Sequence, residues 1–378
     1  MTGRPTTAYI DLSALAHNLS EVRRCASGRK ILGIVKADAY GHGAVECART
    51  LVAGGVDMLG VALAEEGAEL RKSNINKEIL VLGGVFEGQA GELLEYDLTP
   101  AVYTTVQAEA FSQAAVNAGK IMPVHVKIDT GMGRVGITPE DSVDFVLSIS
   151  RMPGIKVMGL MTHLSDVAEK DKSFAELQVE RFEMAMKRLK EEGIEIPLAH
   201  ASGSAAVIDF AAAHFNMVRP GIMLYGCYPS ENMRDLVNLK PVMALKTKIM
   251  HIKSVDPGTP ISYGRTFYTK KDSIIATLPI GYADGLNRGL SNRGSVLIGG
   301  KRCPIVGTVC MDMIMVDISG VPGAQVLDEA VIIGRQGGEG ITAEEVAELI
   351  GTISYEVLCN VSKRVPRRHS RESGNPGI

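Results

Sequence analysis

The first two-thirds of the chain alternates short apolar runs with segments of helical periodicity. The apolar runs lie near residues 30–36, 57–62, 78–83, 99–103, 122–129, 156–162, 197–202 and 216–221. Most are apolar at nearly every position, which is typical of parallel strands covered on both faces. Eight strands alternating with helices over about 210 residues predict a (β/α)₈ barrel of the TIM type. A doubly wound parallel sheet is the structural alternative.

Capping residues indicate where some of the helices begin. Asp11 directly precedes a helical pattern, and aspartate is a favoured N-cap. Ser173 and Glu176 have the spacing of a capping box, which predicts a helix over the segment that follows. Thr138-Pro139 predicts the start of another helix, because proline is well tolerated at the first helical position.

The pattern changes after residue 240. Shorter β-branched runs near 243–255, 274–281, 295–298, 303–318 and 330–333 are separated by Pro and Gly turns. Such runs predict a second, mostly β domain. One helix interrupts it, where Thr342 to Glu345 has the form of a capping box. We therefore expect a barrel over 12–238, a β-rich domain over 239–367 and a polar, disordered tail over 368–378.

Composition excludes several classes of protein. The 378 residues exceed the usual size of one hydrophobic core, and 46% of them are hydrophobic. A net charge of -3 gives no argument for binding nucleic acid or an anionic membrane. The N-terminus lacks an apolar h-region, and no window holds 18 uninterrupted apolar residues, so we expect neither signal peptide nor membrane span. Six scattered cysteines without a CxxC pair favour reduced thiols in the cytoplasm, and we expect no metal site.

Chemically useful side chains stand where several predicted strands end. In TIM-type barrels the catalytic residues lie at the carboxyl ends of the strands. Lys36 ends the first strand, and Thr162-His163 ends the sixth. A lysine there is either an edge residue that reaches water or a placed amine, whose pKa desolvation would lower toward nucleophilic usefulness.

The seventh and eighth strands end in residues suited to an anion. Ser204 offers a hydroxyl, and Gly221 lets an anion approach the backbone beside Arg219. An amine and a phosphate cradle at one barrel mouth would suit a phosphorylated aldehyde held as a Schiff base, of which pyridoxal phosphate (PLP) is the commonest. Taken singly, His163 is more often structural, Ser204 more often part of a turn and Arg219 more often in an ion pair. Only their shared location favours a site.

Residues 131–136 match the G-x-G-x-x-G pattern and follow a predicted strand. A dinucleotide site would need a helix to start within this loop, whereas the predicted helix starts after its third glycine. The acidic residue further on, Asp144, lies within a helical pattern rather than at a strand end. We therefore do not expect NAD binding.

Taken together, these residues resemble the bacterial alanine racemases. The family's PLP-attachment signature is similar to Lys36-Ala37-Asp38-Ala39-Tyr40-Gly41-His42-Gly43. The likeness continues, in the family's order, through residues 129–134, 219–226, 262–265, 281–285, 310–312 and 354–357. It implies a PLP-binding barrel followed by a β domain that also takes in residues 1–11. Family members usually end in an apolar or aromatic residue soon after the Arg-Val-Pro-Arg run, whereas this chain continues in a polar extension.

The resemblance implies interconversion of L-alanine and D-alanine, supplying D-alanine for peptidoglycan. It implies that Lys36 holds PLP and acts as a base on one face of the substrate, with Tyr263 as the base on the other. Arg134 or His163 would stabilise the Tyr263 phenolate. Arg219 would face the pyridine nitrogen, and because arginine cannot accept a proton, the ring would become a poorer electron sink.

The resemblance also assigns binding and supporting residues. Those implied for the cofactor, beside Lys36 and Arg219, are Tyr40, His163, Ser204, Gly221, Ile222 and Tyr355. Those implied for the substrate carboxylate are Arg134 and the Met311 backbone, with Tyr282 and Asp312 in support. Lys127 would face the same way as Asp129, and the family's habit of carbamylating this lysine would reverse its charge beside Arg134. A homodimer with composite active sites is implied too.

Two alternatives to the racemase remain open on the sequence. One is a barrel enzyme with a reactive lysine of another kind, such as an aldolase or a PLP decarboxylase. It would not need Tyr263 opposite the lysine or an arginine at the pyridine nitrogen. The other is a non-catalytic PLP-binding protein, which would typically lack the β domain.

Overall fold

Eight parallel strands organise the first part of the chain. The computed structural model describes residues 3–370. The first strand, β1 (Thr7–Asp11), lies outside this sheet. The eight parallel strands are β2 (Lys30–Ile34), β3 (Met58–Val61), β4 (Ile79–Val81), β5 (Thr99–Val102), β6 (Met122–Lys127), β7 (Ile155–Met161), β8 (Leu198–His200) and β9 (Met217–Val218). Strands β2 to β9 coincide with the eight predicted apolar runs, and their order is β8-β7-β6-β5-β4-β3-β2-β9.

The two ends of this sheet meet, so the sheet closes. Arg219 N donates to Ser202 O at 2.9 Å and Asn216 N donates to Ala199 O at 3.4 Å, which joins the segments around β8 and β9. Closure confirms the TIM-type barrel and excludes the doubly wound sheet, whose edges would stay apart.

Helices connect the barrel strands and cover their outer faces. They are α1 (Leu12–Ala26), α2 (Lys36–Gly41), α3 (Ala44–Ala53), α4 (Ala64–Lys72), α5 (Ala90–Glu95), α6 (Thr105–Asn117), α7 (Ser142–Ser150), α8 (Ser173–Glu191) and α9 (Ser204–Asp209); α10 (Ala343–Ile350) and α11 (Ser354–Cys359) follow in the second domain. Among their largest fully buried side chains are Phe111 of α6 and Phe182 of α8.

The predicted helix starts are partly right. Asp11 caps α1, since its carboxylate accepts from Ser13 N at 2.8 Å. The capping box predicted at Ser173 is wrong: Asp171 instead accepts from Ser173 N at 2.9 Å, because Ser173 already lies inside the helix. The start predicted at Thr138 is also wrong, since its hydroxyl bonds to Asp141 and closes a turn before α7 begins.

The second domain is built from short strands. They are β10 (Met243–Lys248), β11 (His251–Val255), β12 (Pro260–Ile261), β13 (Phe267–Tyr268), β14 (Ser273–Leu278), β15 (Ser295–Ile298), β16 (Lys301–Pro304), β17 (Ile314–Asp317), β18 (Glu329–Gln336), β19 (Glu339–Ile341) and β20 (Arg367–Ser370). All of their pairings except that of β20 with β1 are antiparallel. The predicted runs 243–255 and 303–318 are each divided into two strands. β1 pairs with β10 and β20, so the N-terminal strand belongs to a sheet of this domain.

The C-terminal segment is ordered further than we expected. Disorder was predicted from residue 368, but β20 pairs in parallel with β1, so the prediction is wrong for 368–370. Arg367 donates to Gly41 O at 3.0 Å and His369 Nε2 lies 2.8 Å from His42 O. These side chains tie the strand to the loop after Lys36. The rest of the predicted tail, 371–378, lies outside the described residues.

Two further observations concern the whole described chain. Within residues 3–370, no helix combines the length and apolar character needed to cross a bilayer. All six cysteines are free thiols, and Cys47, Cys227 and Cys303 are buried.

Candidate active site

A cavity of about 440 Å³ opens at the carboxyl ends of the barrel strands. Its walls carry most of the predicted site residues, namely Lys36, Tyr40, Lys127, Arg134, His163, Ser204, Arg219, Gly221, Ile222 and Tyr355. Tyr355 comes from α11 of the second domain, and the others come from the barrel. The sequence therefore predicted which barrel residues share this mouth, because residues at the carboxyl ends of parallel strands converge there.

Lys36 enters the cavity from an unusual turn. Ala37, Asp38, Ala39 and Tyr40 all have φ near +53°, so α2 is a single left-handed turn. A left-handed conformation costs roughly 1–2 kcal/mol for each non-glycine residue, so outside contacts must hold it. Glu66 supplies one of them, since its carboxylate accepts from Ala37 N at 2.7 Å.

Glu66 also joins this turn to the neighbouring barrel strand. Its second oxygen accepts from Ala62 N at 2.7 Å, directly after β3. The sequence analysis missed this residue, because nothing in its local pattern distinguishes it from other glutamates in the first turn of a helix. Burial lowers the pKa of Lys36, and the Arg134 charge lowers it further. Lys36 therefore loses its proton to give the free amine more readily than an exposed lysine does.

Hydroxyl and amide groups gather at one end of the cavity. Ser204 Oγ accepts from Gly221 N at 2.9 Å, which fixes the hydroxyl beside the loop after β9. A Cβ on Gly221 would stand 2.5 Å from Tyr40 Oη, so only glycine leaves this space open. Burial raises the pKa of Tyr355 to about 12, so its hydroxyl stays protonated and can donate to an anion.

Arg219 also lines the cavity, and several hydrogen bonds hold its side chain in place. Its side chain is 5% exposed. Nη2 donates to Thr162 O at 2.6 Å and to Ala201 O at 3.0 Å, and Nη1 donates to His200 Nδ1 at 2.9 Å. Burial lowers its pKa to about 9, and the Arg134 charge acts in the same direction, so the guanidinium is still protonated at neutral pH.

Two buried histidines extend from this arginine, and the sequence analysis missed their connection. Because Arg219 only donates, His200 Nδ1 must accept, and its Nε2 carries the proton. That Nε2 donates to His125 Nδ1 at 2.7 Å. Burial lowers the pKa of His125 to about 3 and that of His200 well below its usual range, so both imidazole rings are neutral beside the Arg219 cation. The alternation along β6 could have found His125, since it lies two residues before Lys127 on the same face.

Lys127 is buried beside several cations, and the nearby Asp129 carboxylate offsets them only in part. It is 5% exposed, and burial together with Arg219 and Arg134 lowers its pKa to about 7. The Asp129 carboxylate instead accepts backbone N–H groups of Gly131, Gly133 and Arg134 at 3.0–3.1 Å. Asp129 therefore shapes the loop that carries Arg134 and leaves the lysine unpaired.

His163 lies against Arg219 rather than against a tyrosine. Its Nδ1 is 3.4 Å from Arg219 Nη2. Burial, helped by the Arg219 charge, lowers the pKa of His163 well below its usual range. The ring is therefore neutral at neutral pH.

The remaining predicted residues lie on the second domain, outside the cavity of their own chain. The exposed fractions are 73% for Tyr263, 52% for Met311 and 44% for Tyr282. Tyr282 N donates to Cys310 O at 3.0 Å, which joins the turn of Tyr282 to the Met311 segment. Asp312 accepts from Arg364 at 2.7 Å. These residues form one exposed surface, and within one chain Tyr263 is not among the residues that line the cavity with Arg134 and His163.

Comparison with known proteins decides the family. The model of the alanine racemase N-terminal domain matches residues 10–229, and that of the C-terminal domain matches residues 242–369. This chain belongs to the alanine racemase family. It is 46% identical to the alanine racemase of Halothermothrix orenii over 98% of both chains. It is 45% identical to that of Methanococcus maripaludis, over 97% of this chain and 99% of the relative.

Solved structures of alanine racemases have the same fold. The enzyme of Clostridium difficile 630 matches with a TM-score of 0.93 at 40% identity, over 98% of this chain and 97% of that one. The Bacillus anthracis enzyme, solved with bound L-Ala-P, also has a TM-score of 0.93, at 36% identity over 98% and 96%. The chain is thus an isomerase of the alanine racemase type, which sets aside the aldolase and the non-catalytic alternatives.

Proposed function

We propose that this enzyme interconverts L-alanine and D-alanine with PLP, using Lys36 and Tyr263 as two bases, and so supplies D-alanine for peptidoglycan. The observation that carries the proposal is the cavity at the barrel mouth. It brings a partly buried amine, a rigid arginine and a hydroxyl-lined end together within about 440 Å³. We place the enzyme in the cytoplasm, where the free thiols would stay reduced.

The cavity residues fit PLP. Ser204, the amides of Gly221 and Ile222 and the hydroxyls of Tyr40 and Tyr355 are donors suited to a phosphate, and Gly221 keeps the space that a Cβ would fill. Lys36 is the amine suited to the aldehyde, and Arg219 and His163 are suited to the ring. PLP supplies an electron-withdrawing ring that makes the α-proton of a bound amino acid acidic.

The chain's own residues then control where charge and protons go. Arg219 can only donate, and its carbonyl and histidine partners hold its plane in place. It therefore discourages a proton on a ring nitrogen that faces it, which limits delocalisation into the ring and disfavours transamination. Arg134 is suited to the substrate carboxylate, with the Met311 backbone. Burial and the Arg134 charge lower the pKa of Lys36, so its free amine, the form that accepts a proton, is formed more readily than in an exposed lysine.

The second base must come from elsewhere. Racemisation needs a group that returns a proton to the opposite face, and among the described residues the tyrosines that line the cavity are Tyr40 and Tyr355, which we assign to the phosphate. Tyr263 and Met311 are exposed on the second domain of their own chain. We propose that a two-fold homodimer brings them to the partner's barrel mouth and makes two composite sites.

We keep the domain boundaries proposed from the sequence. The barrel domain covers 12–238, and the β-rich domain covers 1–11 and 239–367, to which β20 adds residues 368–370. The pairing of β1 with β10 supports joining the N-terminal strand to the second domain. Such a division gives each chain one cofactor-binding unit and one unit that completes the partner's site.

Mixing two inactive variants tests the proposal. Lys36→Ala and Tyr263→Phe are each expected to be nearly inactive. A heterodimer of the two would hold one site with both defects and one with neither, so alanine racemisation should reappear only after dissociation and mixing. Confirmed subunit exchange without activity would mean that Tyr263 serves its own chain. A purified protein that never racemises alanine with PLP present would refute the activity itself.

A further inference from the structure

Tyr263 lies in a strained turn between β12 and β13. Ser262, before it, has φ 67° and ψ -176°, and Arg265, after it, has φ 49°. The backbone region of Ser262 is almost confined to glycine. A serine stays there only where its surroundings hold it.

Thr308 holds this turn on both sides of the tyrosine. Ser262 Oγ donates to Thr308 O at 2.6 Å, and Thr308 Oγ1 donates to Tyr263 O at 2.9 Å. The first bond fixes the residue before Tyr263, and the second fixes the peptide after it. Thr308 is 7% exposed, so its side of these part-buried bonds is shielded from water.

The segment that carries Thr308 is itself anchored. A Cβ on Gly307 would stand 2.7 Å from Ser262 Cβ, so glycine allows the two segments to approach. Gly307 N donates to Asn292 Oδ1 at 2.6 Å, and Asn292 Nδ2 donates to Thr266 Oγ1 at 3.0 Å. The turn therefore has contacts that keep its backbone in one conformation.

The side chain of Tyr263 has no comparable support among the described residues of its chain. It is 73% exposed, so packing inside the monomer does little to orient it. We propose that Thr308 is a positioning residue for racemisation, because its two hydrogen bonds lock the strained turn that presents Tyr263 to the partner's barrel mouth. The inference rests on the proposed function, in which Tyr263 is the second base.

Three variants of the full-length, PLP-loaded enzyme test the inference. Thr308→Val removes the bond to Tyr263 O with little change of shape, and Thr308→Ser retains the hydroxyl. Thr269→Val is the matched control: Thr269 is 4% exposed, lies just after β13 and donates to Asp256 O at 2.7 Å, at the far end of the same hairpin. We expect Thr308→Val to lower kcat by about tenfold or more, since misplacing a reacting group by ~1 Å can cost roughly 100-fold. Thr308→Ser should recover most of the rate, and Thr269→Val should retain it.

Deuterium isotope effects distinguish positioning from general damage. With two bases, L-alanine and D-alanine deuterated at the α-carbon report on different proton transfers. Impairing only the tyrosine step should raise the isotope effect on kcat/KM for one enantiomer and not for the other. Loss of folded enzyme would lower the apparent rate without changing either isotope effect.

Several results would overturn the inference. In Thr308→Val, one such result is an unchanged rate with unchanged isotope effects. Another is an equal rise of the isotope effect on kcat/KM for both enantiomers, and a third is a lower rate with both isotope effects unchanged. If Thr308→Val does not fold, Ser262→Gly removes the other hydrogen bond and relaxes the turn, and the same one-sided rise is required. An active Tyr263→Phe would refute Tyr263 as the second base and so contradict the proposed function. The results above would instead contradict only the positioning role of Thr308.

Discussion

The protonation state of Lys127 can be tested directly, because this lysine is buried in a site that already contains other positive charges. It is buried beside Arg134 and Arg219, and its pKa is lowered from 10.5 to about 7. At ~1.4 kcal/mol for each tenfold change, the ammonium form in the fold is disfavoured by on the order of 5 kcal/mol. Within residues 3–370, the salt bridges include none to Lys127 that would offset this.

We expect the free amine of Lys127 to react with carbon dioxide. The nitrogen lone pair forms an N–C bond to the carbon of CO₂, one proton leaves the nitrogen, and a carbamate anion results. A pKa near 7 leaves much of the amine unprotonated at neutral pH, which this reaction needs. The anion would then pair with Arg134 and orient it, instead of repelling it.

The pH dependence of stability has a definite sign for the unmodified lysine. Between pH 7 and 10.5 the unfolded chain binds the Lys127 proton and the folded chain does not, so stability rises with pH. In CO₂-free buffer we expect the wild type to gain roughly 2 kcal/mol relative to Lys127→Met between pH 7 and pH 9. Urea unfolding at several pH values measures this difference.

Carbon-13 NMR with labelled bicarbonate tests the carbamate directly. The wild type should show a protein-bound carbamate carbon that is absent from Lys127→Met. Lys246→Ala is the control, since that lysine is also buried but lies 3.5 Å from the Glu329 carboxylate, and the signal should persist. Identical spectra for wild type and Lys127→Met, with an ammonium paired to a carboxylate in a crystal structure, would refute the reasoning.

Three further predictions follow from single contacts. Arg219→Glu would let a facing pyridine nitrogen keep its proton, so racemisation should fall and a new long-wavelength absorption band should appear; normal activity without the band would contradict this role. Gly221→Ala would place a Cβ 2.5 Å from Tyr40 Oη, so spectroscopic titration of the apoenzyme should show weaker PLP binding, and unchanged affinity would contradict the cradle. Asp11→Ala removes the cap of α1 and should lower the unfolding free energy by about 1 kcal/mol, measured in urea, whereas an unchanged value would show that the cap contributes nothing.

Much of the barrel was predictable because its signal is local. Strands covered on both faces, such as β3 and β4, need apolar side chains at consecutive positions, and that requirement appears directly in the sequence. Functional residues such as Lys36 and Arg219 come just after the carboxyl ends of two other barrel strands, β2 and β9. The strand assignment therefore also predicted their common location.

Other features depend on contacts between distant segments. Glu66 bonds to Ala37, and Thr308 bonds to Ser262 and Tyr263, across 29 and about 45 residues respectively. No local pattern distinguishes these residues, because their role depends on what the fold brings beside them. The left-handed turn after Lys36 could not be predicted from the sequence for the same reason, since its residues have no local preference for that conformation.

Two helix starts were misplaced for a local reason, whereas the C-terminal strand was missed because its partner is distant in the chain. Ser173 and Thr138 have the residue types of helix starts, but neighbouring carboxylates in Asp171 and Asp141 take part in the hydrogen bonds that close those turns. Composition alone predicts disorder after Arg367, yet residues 368–370 gain main-chain partners on β1. Apolar patterning thus specifies which segments are strands and which residues end them, because burial acts on each position separately. Closure of the barrel, the hydrogen bonds of Arg219 and the exposure of Tyr263 arise only when segments far apart in the chain meet.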